Sequence, residues 1–265
     1  MSGASERGER GLVLDRLSHG FVHRKAGRRE ILTDVRLEAR PGEFLCVMGP
    51  SGCGKSTLLN IAAGFVAPDA GTATWQGRPI RAPGRDRGMV FQKPELYPWL
   101  DVWGNVMFGP KATGRGREAG ARARELLAEV GLAGFEHYRP YELSGGMQHR
   151  VALARTLVND PELLLMDEPF AALDAQTRQE MQALLLDVWQ RHRRTVVFVT
   201  HDAEEALLLA DRVAILSGRP STVTDLIDVG FARPRGPELV FADAFVEMRR
   251  RIRDLMKTSD EENHG

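Results

Sequence analysis

One stretch constrains this chain more than any other: Gly49-Pro50-Ser51-Gly52-Cys53-Gly54-Lys55-Ser56-Thr57. It fits G-x-x-x-x-G-K-[ST], the pattern of a phosphate-binding P-loop. Phe44-Leu45-Cys46-Val47-Met48 before it reads as a short buried strand. Leu58 to Ala63 after it reads as the first turns of a helix that Gly64 stops. Strand, loop and helix are the context in which the pattern carries chemistry. The glycines let successive backbone N–H groups point at one spot, and the helix N-terminus adds its partial positive charge there. Lys55 is then expected on the β- and γ-phosphates, and Ser56 on a Mg²⁺ ion.

The chain is long enough for a full core, with 265 residues and 43% hydrophobic content. Lys+Arg and Asp+Glu are both 36, so the net charge is zero and nothing global points to nucleic acid as a partner. Cys46 and Cys53 suggest no disulfide framework, which fits a reducing cytosol. The polar start, Met1 to Arg7, has no signal-peptide character. No apolar run approaches the roughly 18–20 residues of a membrane span, so work at a membrane would need spans from other chains.

Further along, the expected organisation is an α/β chain. Residues 1–10 are expected as a disordered tail. Leu12–Leu14 and Val35–Ala39 read as strands, with a charged hairpin loop from Arg24 to Glu30. Thr72–Trp75 and a Gln76-Gly77 turn suggest another antiparallel hairpin. Gly88–Gln92 reads as a buried strand. From about 93 to 160 the chain changes character. Pro94, Pro98, Gly104, Gly109 and Pro110 break it, Lys111–Arg117 is basic and flexible, and Ala121–Val130 has helical periodicity. This region is expected to be an inserted, mostly helical subdomain.

Strands then resume at Leu163–Asp167, Thr195–Thr200 and Arg212–Leu216, separated by helices over Thr177–Gln190 and Ala203–Leu209. Continuous apolar strands alternating with helices predict a mainly parallel sheet covered on both faces. Ligands of such sheets bind beyond the strands' C-terminal ends. The P-loop, Gln92, Asp167 and His201 all fall there. The tail, Phe241 to Met256, has apolar residues at amphipathic-helix spacing with arginines on other faces. It fits a helix packed on its own domain, and also a partner- or membrane-binding one.

Asp167 ends an apolar strand and Glu168 follows it. One acid can hold Mg²⁺ while the next faces an attacking water as general base; in isolation, two acids opening a surface loop would look the same. Leu143-Ser144-Gly145-Gly146-Met147-Gln148 precedes a helix over Arg150–Val158, with Ser144 as a candidate N-cap and open glycine N–H groups. His201 closes a core strand where a γ-phosphate could lie. His19, His23, His137, His149 and His192 show no metal-ligand spacing and receive no role.

In their order and spacing, these motifs resemble the ATP-binding subunits of ABC transporters, from about Leu12 to Leu216. That resemblance implies a P-loop NTPase core with an N-terminal antiparallel β subdomain and an inserted helical signature subdomain. It implies ATP and Mg²⁺ as ligands. By it, Phe21 looks like the adenine-stacking aromatic, in place of the commoner Tyr, and Gln92 like the Q-loop glutamine that touches Mg²⁺ and the attacking water. Ser144, Gly145, Gly146, Met147 and Gln148 look like the signature that meets the partner's ATP, with Met147 in place of the usual Gln. Asp167 and Glu168 look like the Walker B pair, Asp174 like the D-loop aspartate, and His201 like the switch histidine.

The resemblance further implies a head-to-tail homodimer around two ATP molecules. Its partners are two integral-membrane permease subunits and, indirectly, a solute-binding protein, and its place is peripheral, on the cytoplasmic face of the inner membrane. The ATPase domain is expected over 11–235, with the C-terminal helix and tail over 236–265. Tyr97, Trp99 and Trp103 fit a docking surface for the membrane subunits, and fit a small subdomain core equally well. Pro98-Trp99-Leu100, Asp167 to Asp174, Thr200 to Ala206 and Arg233-Pro234-Arg235 look like the nitrate/sulfonate/taurine importer group. The alternative is the ATPase of an exporter with separate membrane subunits. A kinase or GTPase of the P-loop class would not need the Ser144-Gly145-Gly146 helix start. A DNA-repair ABC ATPase would carry a long coiled-coil insertion, and a translation ATPase would usually carry two cassettes.

Overall fold

The computed structural model describes residues 11–23 and 27–261. The expected tail over 1–10 and part of the expected hairpin loop, 24–26, lie outside the described residues. The chain forms two compact units. One runs to Gly84 and resumes at Thr195; the other is Arg85–Arg194.

In the first unit, β1 (Leu12–His23) and β2 (Gly27–Ala39) pair antiparallel, and β4 (Ala70–Trp75) and β5 (Arg78–Pro79) extend the sheet in the order β2-β1-β4-β5. Both long strands exceed the expected ones. The charged stretch Gly27–Glu30, expected as loop, pairs with β1 in register, Phe21 opposite Arg29 and Val22 opposite Arg28. Its residues are exposed, whereas the later part of β2 alternates buried and exposed. A ladder tip without a buried side carries no period-two apolar signal, so only the backbone pairing reveals it.

The second sheet of this unit holds β3 (Phe44–Met48), buried at every residue, between β8 (Thr195–Val199) and β9 (Arg212–Leu216), all parallel. An unforeseen strand, β10 (Val223–Asp228), closes the edge antiparallel to β9. α1 (Lys55–Ala63) follows β3 and ends at Gly64. α6 (Ala203–Leu209) follows β8. Beneath the sheet end, Glu43 and Arg212 form a buried pair, with Arg212 Nη2 2.9 Å from Glu43 Oε2. That hydrogen bond and charge raise the Arg212 pKa. Glu43 also accepts from the Arg40 N–H at 2.6 Å, so its second oxygen is doubly satisfied, as a buried carboxylate requires.

The tail forms α7 (Asp243–Glu261), which packs Phe245 and Ile252 into the unit; both are fully buried. Phe241, expected on this apolar face, lies in a 3₁₀ turn before the helix and is exposed. Arg249 pairs with Glu204 of α6 at 2.7 Å. Arg233 pairs with Asp211 at 2.8 Å, and Arg235 Nη1 donates to the Leu207 and Ala210 carbonyls at 2.9 and 2.6 Å, capping the end of α6. Burial there pushes the Arg235 pKa down to about 10.

In the second unit, β6 (Arg87–Val90) and β7 (Leu163–Asp167) pair in parallel. β6 is shorter than expected, and only Val90 is buried. α2 (Val102–Ala112) runs straight through Gly104, Gly109 and Pro110, which were expected to break the chain. Asp101 caps it, accepting from the Gly104 N–H at 2.6 Å. The fully buried Asn105 bonds to the Tyr97, Leu100 and Asp101 carbonyls, at 3.2, 3.2 and 2.9 Å, and accepts from the Tyr97 N–H at 2.8 Å. A cap and a satisfied buried amide outweigh the weak propensity of two glycines. α3 (Gly116–Glu129) follows, so the expected flexible run Lys111–Arg117 is the end of α2, a turn over 113–115 and the start of α3. α4 (Gly145–Leu157) and α5 (Ala175–His192) complete the unit.

Candidate functional site

β3 delivers the P-loop. Gly49, Pro50 and Cys53 are buried, while Ser51, Gly52 and Ser56 are exposed; Thr57 is half-buried. Gly54 takes φ 112°, and a Cβ there would stand 2.7 Å from Ile31 Cγ2, so only glycine fits. Lys55, on the first turn of α1, is buried at 6% exposure. Its Nζ donates to the Gly49 and Pro50 carbonyls at 2.8 and 2.9 Å. The first turn of α1 holds no acid, so its N–H groups and the lysine charge are unopposed by a carboxylate on that turn. The Cys53 thiol is pushed up by burial, which keeps it neutral. Cys46 is likewise buried and free, with its thiol pushed well up.

The structure adds two residues to the loop's support that the motif did not indicate. Arg219 Nε donates to the Gly52 carbonyl, and the fully buried Ser221 Oγ donates to the Cys53 carbonyl. In a trans peptide the carbonyl of one residue and the N–H of the next point opposite ways. Holding the Cys53 carbonyl therefore aims the Gly54 N–H away from Ser221. A turn of Gly, Arg, Pro and Ser after a strand was the available signal, and it was not distinctive.

His201 is exposed just beyond β8. Val47 and Val199 are in register, and the Thr200 N–H donates to the Val47 carbonyl at 3.3 Å. The P-loop and His201 thus leave the same end of adjacent parallel strands. Asp202 caps α6, accepting from the Glu204 and Glu205 N–H groups at 2.9 and 3.4 Å. Phe21 lies on β1, half exposed at 50%, with the His19 ring edge-on at 4.9 Å. Asp69 accepts from the Gly20 N–H and from Arg28, each at 2.8 Å. The Gly20 bond foremost holds the Asp69 carboxyl below its usual range.

In the second unit, Val90 and Met166 are in register, so Gln92 and the acids after β7 also leave a common strand end. Gln92 is exposed; Asp167 and Glu168 are half-buried. Glu168 takes φ 44°, a left-handed conformation that costs a side-chain-bearing residue about 1–3 kcal/mol. The kink turns the chain between the two acids. His149, given no role from the sequence, is buried, with Nδ1 2.9 Å from the Gly145 carbonyl and Nε2 3.3 Å from the Gln92 carbonyl. It joins the Gln92 loop to the start of α4.

α4 begins at Gly145, not Arg150 as expected, because Ser144 caps it by accepting from the Met147 N–H at 3.3 Å. Two weak helix formers in the first turn hide that start from periodicity. Ser144 and Gly145 are exposed, Gly146 is buried, Met147 and Gln148 half-buried. Gln148 turns back to the Pro140 carbonyl at 2.9 Å. Asp174 is exposed and caps α5, which starts before the expected Thr177. It accepts from the Thr177 N–H and hydroxyl at 3.0 and 2.7 Å, and these bonds, the N–H first, hold its carboxyl below the usual range. Trp99 is exposed at 67%, whereas Tyr97 and Trp103 are half-buried. Tyr97 packs against Phe108 at 4.4 Å, and Arg124 lies over Trp103 at 5.3 Å.

Among the described residues, no group of His, Cys, Asp and Glu forms a metal cluster. The expected Mg²⁺ donors are instead a hydroxyl, an amide and a carboxylate, on Ser56, Gln92 and Asp167. Each of these offers a hard oxygen donor of the kind Mg²⁺ takes. No helix among the described residues is long and apolar enough to cross a membrane.

The family described as ABC transporter matches residues 32–171. The taurine import ATP-binding protein TauB of Jannaschia sp. (strain CCS1) is 44% identical over 264 residues, spanning 96% of this chain and 97% of that protein. A protein of the same name from Burkholderia pseudomallei (strain 1710b) is 51% identical over 212 residues, 78% of this chain and 82% of that one. A solved dimeric, post-hydrolysis structure of the ATP-binding cassette MJ0796, bound to ADP and Pi, aligns with TM-score 0.71 and 31% identity. It covers 83% of this chain and all of that one, 100%. With the family model over more than half of the chain and a relative matched along nearly its whole length, the chain belongs to the ATP-binding subunits of the ABC transporter family.

Proposed function

We propose that this chain binds and hydrolyses ATP to power the import of a small anionic solute such as nitrate, a sulfonate or taurine. The observation that carries ATP binding is Lys55. A buried ammonium rests on its own loop's carbonyls at a helix N-terminus without a first-turn acid. An incoming triphosphate supplies better acceptors, and the lysine moves from neutral carbonyls to charged phosphate. Import, and the solute class, rest on the likeness to taurine import proteins. No observation favours the exporter alternative.

The proposed roles follow the motifs. Gly49 to Thr57 hold the phosphates and Phe21 stacks on adenine. Ser56, Gln92 and Asp167 hold Mg²⁺, which when bound neutralises phosphate charge. Glu168 takes the proton of the attacking water, with Gln92 and His201 orienting that water and the γ-phosphate. Ser144 to Gln148 and Asp174 serve the ATP of a second copy, so the working form is a homodimer. The ATPase domain is proposed over 11–235, its helical subdomain over about 93–160, and the C-terminal helix and tail over 236–265. Two permease subunits, fed by a solute-binding protein, would hold the dimer peripherally at the cytoplasmic face of the inner membrane.

The test is Glu168→Gln, which keeps shape and hydrogen bonding but removes the base. Turnover should fall by about 10²–10⁴, the usual range for general-base assistance, while ATP still binds. Because hydrolysis reopens the dimer, the variant should accumulate as an ATP-bound dimer in size-exclusion chromatography. Wild-type turnover in this variant, or a monomer under saturating Mg²⁺-ATP, would overturn the assignment.

A further inference from the structure

We infer that Thr177 is a positioning residue that ties the D-loop carboxylate of Asp174 to the signature glycine Gly146, so that both motifs meet a second copy of this chain as one rigid surface. The inference rests on the dimer proposed above. It begins from a single branched side chain whose two arms are both in use.

The hydroxyl arm donates to Asp174 Oδ2 at 2.7 Å, while the Thr177 backbone N–H donates to Asp174 Oδ1 at 3.0 Å. Both oxygens of the D-loop carboxylate are held by one residue, which fixes the plane of the carboxylate. The methyl arm points the other way, to the start of α4. A Cβ added at Gly146 would stand 2.6 Å from Thr177 Cγ2, closer than carbons can approach. The glycine therefore lets the α4 backbone sit against that methyl. A β-branched side chain has few rotamers, so one χ1 well sets both contacts together. Arg178, the next residue, donates to the Leu173 carbonyl at 2.9 Å, a further bond to the segment just before Asp174.

Beside this contact between the buried Gly146 and the half-buried Thr177, Ser144, Gly145 and Asp174 are all exposed. An ordinary helix cap would explain the hydroxyl arm. It does not explain why the methyl arm of the same residue is packed against a signature glycine. The two motifs are separated in sequence, and Thr177 touches both.

The two arms can be removed separately in the Glu168→Gln background, where the ATP-bound dimer accumulates. Thr177→Val keeps the methyl and loses the hydroxyl; Thr177→Ser does the reverse. The measurements are the Mg²⁺-ATP concentration for half-dimerisation, by light scattering, the affinity of the monomer for a fluorescent ADP, and Tm. Thr177→Val should raise the half-dimerisation concentration about three- to tenfold, the worth of one hydrogen bond. Thr177→Ser should raise it at least about twofold through lost packing, and Thr177→Ala more than either. ADP affinity should stay within about twofold in all three, because the P-loop is untouched. Dimerisation like the parent's in Thr177→Val, even with a lowered Tm, reduces Thr177 to a helix cap and overturns the inference. ADP affinity falling in step with dimerisation overturns it as well. Failure of the dimer reading itself looks different: the Glu168→Gln parent stays monomeric before any change at Thr177, and the inference falls with it.

Discussion

The P-loop and the signature–D-loop region are both glycine-marked helix starts, yet they are built on opposite plans. The P-loop is held from behind and inside: Lys55 is buried against its own loop, and Arg219 and Ser221 hold the carbonyls of Gly52 and Cys53. The signature and D-loop are capped by their own exposed side chains, Ser144 and Asp174, which face solvent. A preorganised anion site needs its donors fixed before the ligand comes. A surface that completes another copy's site needs its polar groups outside. The comparison therefore predicts that P-loop changes damage nucleotide binding, whereas signature and D-loop changes damage assembly.

Lys55→Ala should break the first half of that contrast. ATP affinity should fall about ten- to hundredfold, the worth of a charge-assisted contact, and hydrolysis should be lost. Equilibrium titration beside a phosphate-release assay checks it; near-normal turnover would remove the P-loop from the account. Ser144→Arg tests the other half. Nucleotide affinity of the monomer should be unchanged, while ATP-driven dimerisation in the Glu168→Gln background should disappear. Loss of the cap should also cost about 0.5–2 kcal/mol of stability, visible in denaturant unfolding. A drop in monomer ATP affinity like that of Lys55→Ala would erase the difference between the regions.

Ser221→Ala sharpens the comparison. It frees the Cys53 carbonyl, so affinity for ATP and ADP should both drop about three- to tenfold. Dimerisation measured at saturating ATP should be unaltered. If affinity is unchanged, the segment after β9 only packs and does not preorganise the loop.

The smallest effect is in acid. The Asp174 carboxyl is held below its usual range by Thr177, so its folded pKa lies beneath the unfolded one. Its contribution is present above the unfolded value, about 3.9, and is lost as pH falls through the lowered folded value. Thr177→Val should weaken this acid-limb loss of stability, seen as a smaller drop in Tm between neutral and acid pH. An unchanged acid limb would mean the hydroxyl bond does not hold the carboxylate in solution.

Legibility followed burial. β3, β7, β9 and α6 lie where apolar runs predicted them, since a strand buried on both faces writes its length into the sequence. Elements with solvated ends run past their expected bounds. Gly27–Glu30 belongs to β2 despite its charge, and α4 starts five residues before Arg150 because Ser144 supplies what periodicity lacks. α2 is continuous although Gly104, Gly109 and Pro110 predict breaks, because local propensity omits the bonds of the buried Asn105.

The sequence by itself determined the family of this protein and the motifs on which its proposed chemistry rests. Its phosphate-binding loop, strand-end acids and capped helix start are contiguous, and short-range covalent geometry brings each motif's parts together. Tertiary structure alone decided what holds those motifs still. Ser221 reaches Cys53, His149 stands between Gly145 and Gln92, and Thr177 reaches Gly146 across gaps in sequence that no local pattern spans. Such contacts depend on which helix face and which loop end arrive at the same point. That is set by the packing of whole elements, and the residues that use it, a serine, a histidine and a threonine, are too common to announce it.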